Sequence, residues 1–172
     1  MGLKQGLEII IEAAQQLESE KIVFLMAGFG AAVDVLKEKS QGMSNVRWLP
    51  LQPFEKLNEF LNVADIHLLP QQAGAADLVM PSKLTGMLSS GKSIVATAGD
   101  GTEVQRVLDG MAEISPPGDT DAFAQAILKL ANDQALRNQY GQAGRAYAEQ
   151  NLNVDAIMQR FENELLSLTE VK

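Results

Sequence analysis

The run PQQAGAADLVMPSKLTGMLSSG at 70–91 holds the residues best suited to chemistry. A stretch of small residues at 73–76 leads to Pro81-Ser82-Lys83, which reads as the start of a helix over 81–90. Proline suits a first turn, where the missing N–H is one that no intrahelical carbonyl would have used. Free N–H groups and the positive end of the helix dipole make such a terminus a natural seat for phosphate. Ser82 would add a hydroxyl and Lys83 a cation. The plain alternative is an ordinary helix start with a solvated lysine, and the residues alone leave both open. A second place is Ala27-Gly28-Phe29-Gly30, after an apolar run at 22–26. Paired glycines let the backbone approach a ligand closely, although the third glycine of a dinucleotide fingerprint is missing.

Other reactive types are sparse. The chain has no cysteine, which removes a thiol nucleophile, a disulfide framework, a Cys-ligated zinc and an iron–sulfur cluster. Its single histidine, His67, rules out a multi-His metal site within one chain and lies in an apolar run, where a core residue with one satisfied nitrogen is expected. Asp34, Glu38, Asp65, Asp119 and Asp121 read as surface or helix-end acids, with no pair spaced for acid–base work. Trp48, Met80, Met87 and Met111 read as packing residues. Lys4 and Arg106 are further cations near candidate loops.

The elements that must position these residues alternate. Helical spacing over 4–19 precedes the strand at 22–26; a helix over 31–39 precedes a strand at 46–49; a helix from Pro53 to 61 precedes a strand at 66–69. The helix over 81–90 precedes a strand at 94–98, and a short helix over 102–108 a weak strand at 112–114. Helices over 121–131, 134–149 and 154–168 finish the chain. The continuous apolar run at 22–26 suggests a strand covered on both faces. Such alternation predicts an α/β fold: a doubly wound, mostly parallel sheet with helices on both faces, made by right-handed crossovers. Ligands of such sheets bind beyond the carboxyl ends of the strands, which points to loops 27–31, 49–54, 70–82, 97–103 and 115–119.

With 172 residues, 46% apolar and 21% charged, one globular domain is expected. A net charge of −8 argues against a nucleic-acid partner. No apolar run approaches the roughly 20 residues of a membrane span and no signal pattern opens the chain, so a cytoplasmic protein is expected.

Taken in order, "KQGLEIIIEAAQQL", "IVFLMAGFG", "NVRWLPLQPFEKLNEFLNVADIHLLPQ", "PSKLTGMLSSGKSIVATAGDGTEV" and "SPPGDTDAFAQAILKLANDQ" resemble the C-terminal, donor-binding half of a retaining glycosyltransferase of family 4 with the GT-B architecture. Within it, they most resemble the WcaI-type enzymes of colanic acid and other exopolysaccharide assembly. The resemblance covers nearly the whole chain. It implies a Rossmann-like domain that holds a nucleoside-diphosphate sugar in a cleft facing an N-terminal acceptor domain, which this sequence lacks. Residues 1–172 would be the donor domain alone, inactive by itself, and the acceptor a glycan or a lipid-linked glycan. A homodimer, and peripheral membrane association of the full enzyme, are both compatible with that reading. No cofactor and no metal is implied, since helix N–H groups and lysines can neutralise the diphosphate.

The implied donor site comprises Lys4, Gly28, Gly30, Asp77, Leu78, Val79, Met80, Ser82, Lys83 and Glu103. Lys4 matches the lysine of the family's "K-G" segment, with Gln5 inserted, and the loop after Trp48-Leu49 would border the base. The family's two glutamates around this helix fall on Leu78 and Gly86 here; Asp77 is the nearest substitute. Glu103 matches a glutamate often found after the next strand. The family's first strand of this domain, expected between those at 22–26 and 66–69, is also missing, which predicts a gap in the sheet. The last helix carries Val154, Ile157, Met158, Phe161, Leu165 and Leu168 on one face, a face expected to turn toward the N-terminal domain. The alternative is a non-catalytic Rossmann-like module for a nucleotide or a protein partner. A receiver-like signalling domain would need an acidic cluster at the strand ends, and none is visible.

Overall fold

The computed structural model describes residues 1, 5–72 and 80–169. Strands β1 (Phe24–Ala27), β2 (Val46–Leu49), β3 (Ile66–Leu69), β4 (Ser93–Thr97) and β5 (Glu113–Ser115) alternate with helices α1 (Glu8–Gln16), α2 (Val33–Lys39), α3 (Leu57–Val63), α4 (Ser82–Ser89) and α5 (Glu103–Leu108). Helices α6 (Thr120–Asn132), α7 (Gln134–Asn151) and α8 (Val154–Thr169) close the chain. Every strand pairing is parallel. The fold is Rossmann-like, as the alternation predicts. Boundaries differ by a few residues. The first helix is shorter than its apolar spacing, and the helix from Pro53 opens with a 3-10 turn at Phe54–Lys56.

β4 shows how the layers form. Ile94 and Ala96 join the cluster of Leu84, Leu88, Leu108 and Ala148, while Val95 between them joins that of Ile10, Phe123 and Ile127. Successive side chains of a strand point to opposite faces, so α4, α5 and α7 cover one face and α1 and α6 the other. Asp119 and Asp133 cap α6 and α7 by accepting from Ala122 N–H (2.9 Å) and Leu136 N–H (2.8 Å).

Two sheets result, β1–β2 and β3–β4–β5. Among the described residues β1 and β3 do not pair with each other, in keeping with the expected gap. A groove of about 1050 Å³ separates them, lined by Phe24, Leu25 and Met26 on one side and Ile66, His67 and Leu68 on the other. The expectation that the first strand is covered on both faces is corrected by this groove: Leu25 is 39% exposed. One edge of β1 pairs with β2; among the described residues no strand pairs with the other, which borders the groove.

On α8, Val154, Ile157, Met158, Phe161, Leu165 and Leu168 are all exposed. Among the described residues the helix packs chiefly on α7, and its apolar stripe is left open to solvent.

Candidate functional site

Beyond the carboxyl end of β3 lies a cavity of about 340 Å³. It is lined by Leu68 to Gln71 at the strand end, by Met80, Pro81, Ser82 and Lys83 at the start of α4, and by Gln5 and Leu7 ahead of α1. Pro70 ends the strand because it has no N–H to continue the ladder. Pro81 stands at the N-cap of α4 with extended backbone (φ −62°, ψ 121°), and the helix begins at Ser82, one residue later than its first-turn reading. Unlike α5, α6 and α7, α4 has no side chain capping its first turn. Leu84 N–H reaches Pro81 C=O at 2.9 Å, and among the described residues no side chain caps the earliest N–H groups. Buried Leu84, Met87 and Leu88 hold the helix on the sheet while Ser82 and Lys83 stay exposed. Lys83 Nζ donates to Gln5 Oε1 at 3.4 Å. A surface cation, a hydroxyl and a helix dipole thus converge on one small cavity, a combination that binds anions.

Met80, Ser82 and Lys83 are therefore brought together. Lys4, Asp77, Leu78 and Val79 lie outside the described residues. Gly28 and Gly30 follow β1 at the same edge of the molecule, both at positive φ (136° and 133°) that side chains rarely adopt. They face Met1: its amino group donates to Phe29 C=O, and Ala32 N–H donates to Met1 C=O at 3.3 Å. Neither glycine is among the described residues lining the cavity. Glu103 sits in the first turn of α5, which Thr102 caps, and pairs with Arg106 at 3.0 Å; Arg106 also donates to Gly101 C=O at 2.7 Å. It is an exposed helix-end acid, away from the cavity lining.

His67 is buried on β3. Ser90 Oγ donates to Met87 C=O at 2.6 Å, so it accepts from His67 Nε2 at 3.0 Å. Burial pushes the imidazole down to about 4, and Lys92 acts in the same direction. This is the satisfied core histidine its apolar strand suggests. Trp48 is half-buried and donates to Ser40 Oγ at 3.0 Å.

Sequence reasoning named the loop at 70–82, which contains Gln71 without singling it out, and missed Gln5 and Leu7 as lining residues. The rule that ligands sit beyond strand ends covers Gln71, the first residue past Pro70; nothing local marks Gln5 or Leu7.

A sequence profile of the family described as glycosyl transferases group 1 matches residues 2–133. The chain belongs to that family. WcaI of Escherichia coli (strain K12), named as a glycosyl transferase of colanic acid biosynthesis, is 34% identical over 170 residues, 96% of this chain and 41% of that protein. This chain thus spans about two fifths of that relative. Among solved structures, the C-terminal domain of a glycosyl transferase group 1 family protein, LpcC of Francisella tularensis, matches with a TM-score of 0.73 at 18% identity, covering 90% of this chain and 84% of that one. HepE of Anabaena, solved in complex with UDP-glucose, matches with a TM-score of 0.76 at 18% identity over 95% of this chain and 46% of that one. This chain thus has the fold of the C-terminal half of the GT-B architecture. At Gly86 of α4 a Cβ would meet Leu61 Cδ1 at 3.3 Å, so any side chain there would need Leu61 to give by a few tenths of an ångström.

Proposed function

We propose that this chain is the donor-binding half of a retaining glycosyltransferase. The enzyme would move a sugar from a nucleoside-diphosphate sugar to a glycan or lipid-linked acceptor in surface polysaccharide biosynthesis. The observation that carries the reading is the cavity beyond β3, where the N-terminus of α4 and Lys83 meet in a group 1 glycosyl transferase chain. In this reading the diphosphate lies against the first N–H groups of α4, with Ser82 donating to a phosphate oxygen and Lys83 offsetting its charge. As the sugar leaves, negative charge grows on the diphosphate. Donors already aimed at that charge lower the barrier without reorganising. Met80 and the residues matched at Asp77, Leu78 and Val79 would flank the sugar, with Lys4 beside the diphosphate; Gly28, Gly30 and Glu103, which do not line this cavity, would meet the donor only beyond it. The acceptor site belongs to an N-terminal half, and the apolar stripe of α8 is suited to face it. Titration of the chain with UDP, GDP and ADP tests the reading. Lys83→Ala is expected to weaken the nucleoside diphosphate by about tenfold, as for a charge-assisted contact, and to leave the nucleoside almost unchanged. Equal weakening of both ligands would make Lys83 a surface lysine.

One observation favours a second reading, a nucleotide-binding module without transfer: Leu78 and Gly86 stand where the resemblance places two glutamates. Donor binding by the parent protein with no sugar transfer to any glycan acceptor would select it.

A further inference from the structure

We propose that Thr97, which does not line the donor cavity, is the positioning residue that holds one of its walls; the inference rests on the donor-site reading above. The β3–β4 ladder runs to Leu69 opposite Ala96. The next pair would be Pro70 opposite Thr97, and proline supplies no N–H. Past that point the ladder is replaced by one side chain. Thr97 Oγ1 accepts from Gln71 N–H at 2.7 Å and donates to Gln71 C=O at 2.9 Å. Both polar groups of the Gln71 backbone are thus pinned to a single hydroxyl.

That hydroxyl is itself immobile. Thr97 is fully buried and its own backbone pairs with Ser115 of β5. Gln71 forms the cavity wall facing Ser82 and Lys83. Thr97 therefore sets the width of the cavity from beneath, without touching what enters it. Side-chain hydrogen bonds of this kind compete with water for a backbone that has left its strand. A binding group held by a locked neighbour keeps its geometry to a fraction of an ångström. Without the hydroxyl, Gln71 N–H and C=O would seek partners in the cavity, and the wall would turn inward or away.

The variant that isolates the hydroxyl is Thr97→Val, which keeps the branched shape. It is expected to bind UDP, GDP or ADP, whichever the unmodified chain binds, about tenfold more weakly, the cost of freeing a paired buried group. Thr97→Ser, which keeps the hydroxyl, is expected within about twofold of the unmodified chain. Val95→Ala, a cavity in the same strand with no link to Gln71, lowers stability but leaves affinity unchanged. Unchanged affinity in Thr97→Val overturns the inference while leaving the donor site standing, as does an equal loss in Thr97→Ser or Val95→Ala. Failure of the unmodified chain to bind any of the three diphosphates overturns the donor-site reading and this inference with it. Should Thr97→Val not fold, amide exchange of the unmodified chain decides: a Gln71 amide protected like those of β4 supports the peg, and one exchanging like a surface loop overturns it.

Discussion

β1 and β4 are similar as text and different as structure. FLMA and SIVAT are both short apolar runs, yet every residue of β4 is buried while β1 alternates, with Leu25 39% exposed between Phe24 and Met26 at 4% each. β4 has a strand on each edge and helices on each face. β1 has β2 on one edge and the groove on the other. The apolarity of a run measures its capacity for burial; neighbours decide how much of that capacity is used. The β3–β4–β5 half also borders the cavity proposed for the donor, so its packing is the part that bears on that proposal.

The largest expected difference between the halves is at two glycines. In α7, a Cβ on Gly141 would collide with the carbonyl oxygen of Gly91, at the turn between α4 and β4. This is backbone against backbone, and neither side can yield by a rotamer change. Gly141→Val is expected to cost about 4 kcal/mol, in the exceptional range for a single change and enough to threaten a marginal domain. Gly42, between α2 and β2, has φ +84° but open space around a built Cβ. Gly42→Ala is expected to cost only the left-handed backbone penalty, about 1 kcal/mol. Urea unfolding of the two variants checks the pair; equal losses would mean that α7 does not press on the α4–β4 turn.

That contrast also marks what was legible in the sequence. Element types and order were readable because each helix or strand carries its own period, and β2 and β3 fall on the boundaries the pattern sets. The helix start at Ser82 and the cavity beside it were readable from Pro81 and the rule for strand ends. The Gly141–Gly91 approach and the Thr97 peg were not, since each joins segments far apart in the chain. No local pattern in TAGD or in QYGQAGR announces its partner. The exposure of β1 was not legible in its own run, which shows only that it can be buried on both faces; the gap beside it came instead from the family resemblance, which places a missing strand between 22–26 and 66–69.

A smaller effect separates the halves by pH. His67 on β3, one of the titratable groups lining the groove, is held neutral by burial to about 4 against an ordinary 6.5. Between those values the unfolded chain binds the proton and the folded chain does not. Stability therefore rises with pH across the window and falls as pH drops from about 6.5 to about 4. At ~1.4 kcal/mol per unit the whole window is worth about 3 kcal/mol at most. His67→Gln is expected to flatten that slope in denaturant unfolding measured at successive pH values. An unchanged slope would place the acid sensitivity in the carboxylates, not at the edge of β3.

The smallest expected effect tests the comparison most directly, because it changes one side chain in each of the two similar runs. Val95 in β4 is fully buried against Phe123 and Ile127. Val95→Ala removes two methyl groups from a closed site, and the surrounding helices cannot collapse into the space without leaving the sheet. About 2 kcal/mol is expected from transfer and cavity together. Leu25 in β1 presents a larger side chain, so a rule based on residue size alone would rank Leu25→Ala as the costlier change. Its exposure on the groove reverses the order: much of its surface already meets water, and truncation opens no enclosed cavity. Leu25→Ala is expected to cost under about 1 kcal/mol. Paired urea titrations of the 172-residue chain read both. If Leu25→Ala proves the costlier, the groove is closed in solution, β1 is covered on its second edge, and the distinction between the halves fails at its source. If Val95→Ala is the costlier, the same two variants in a longer chain measure what covers β1 there: the cost of Leu25→Ala would rise toward that of Val95→Ala to the extent that a neighbouring strand fills the groove.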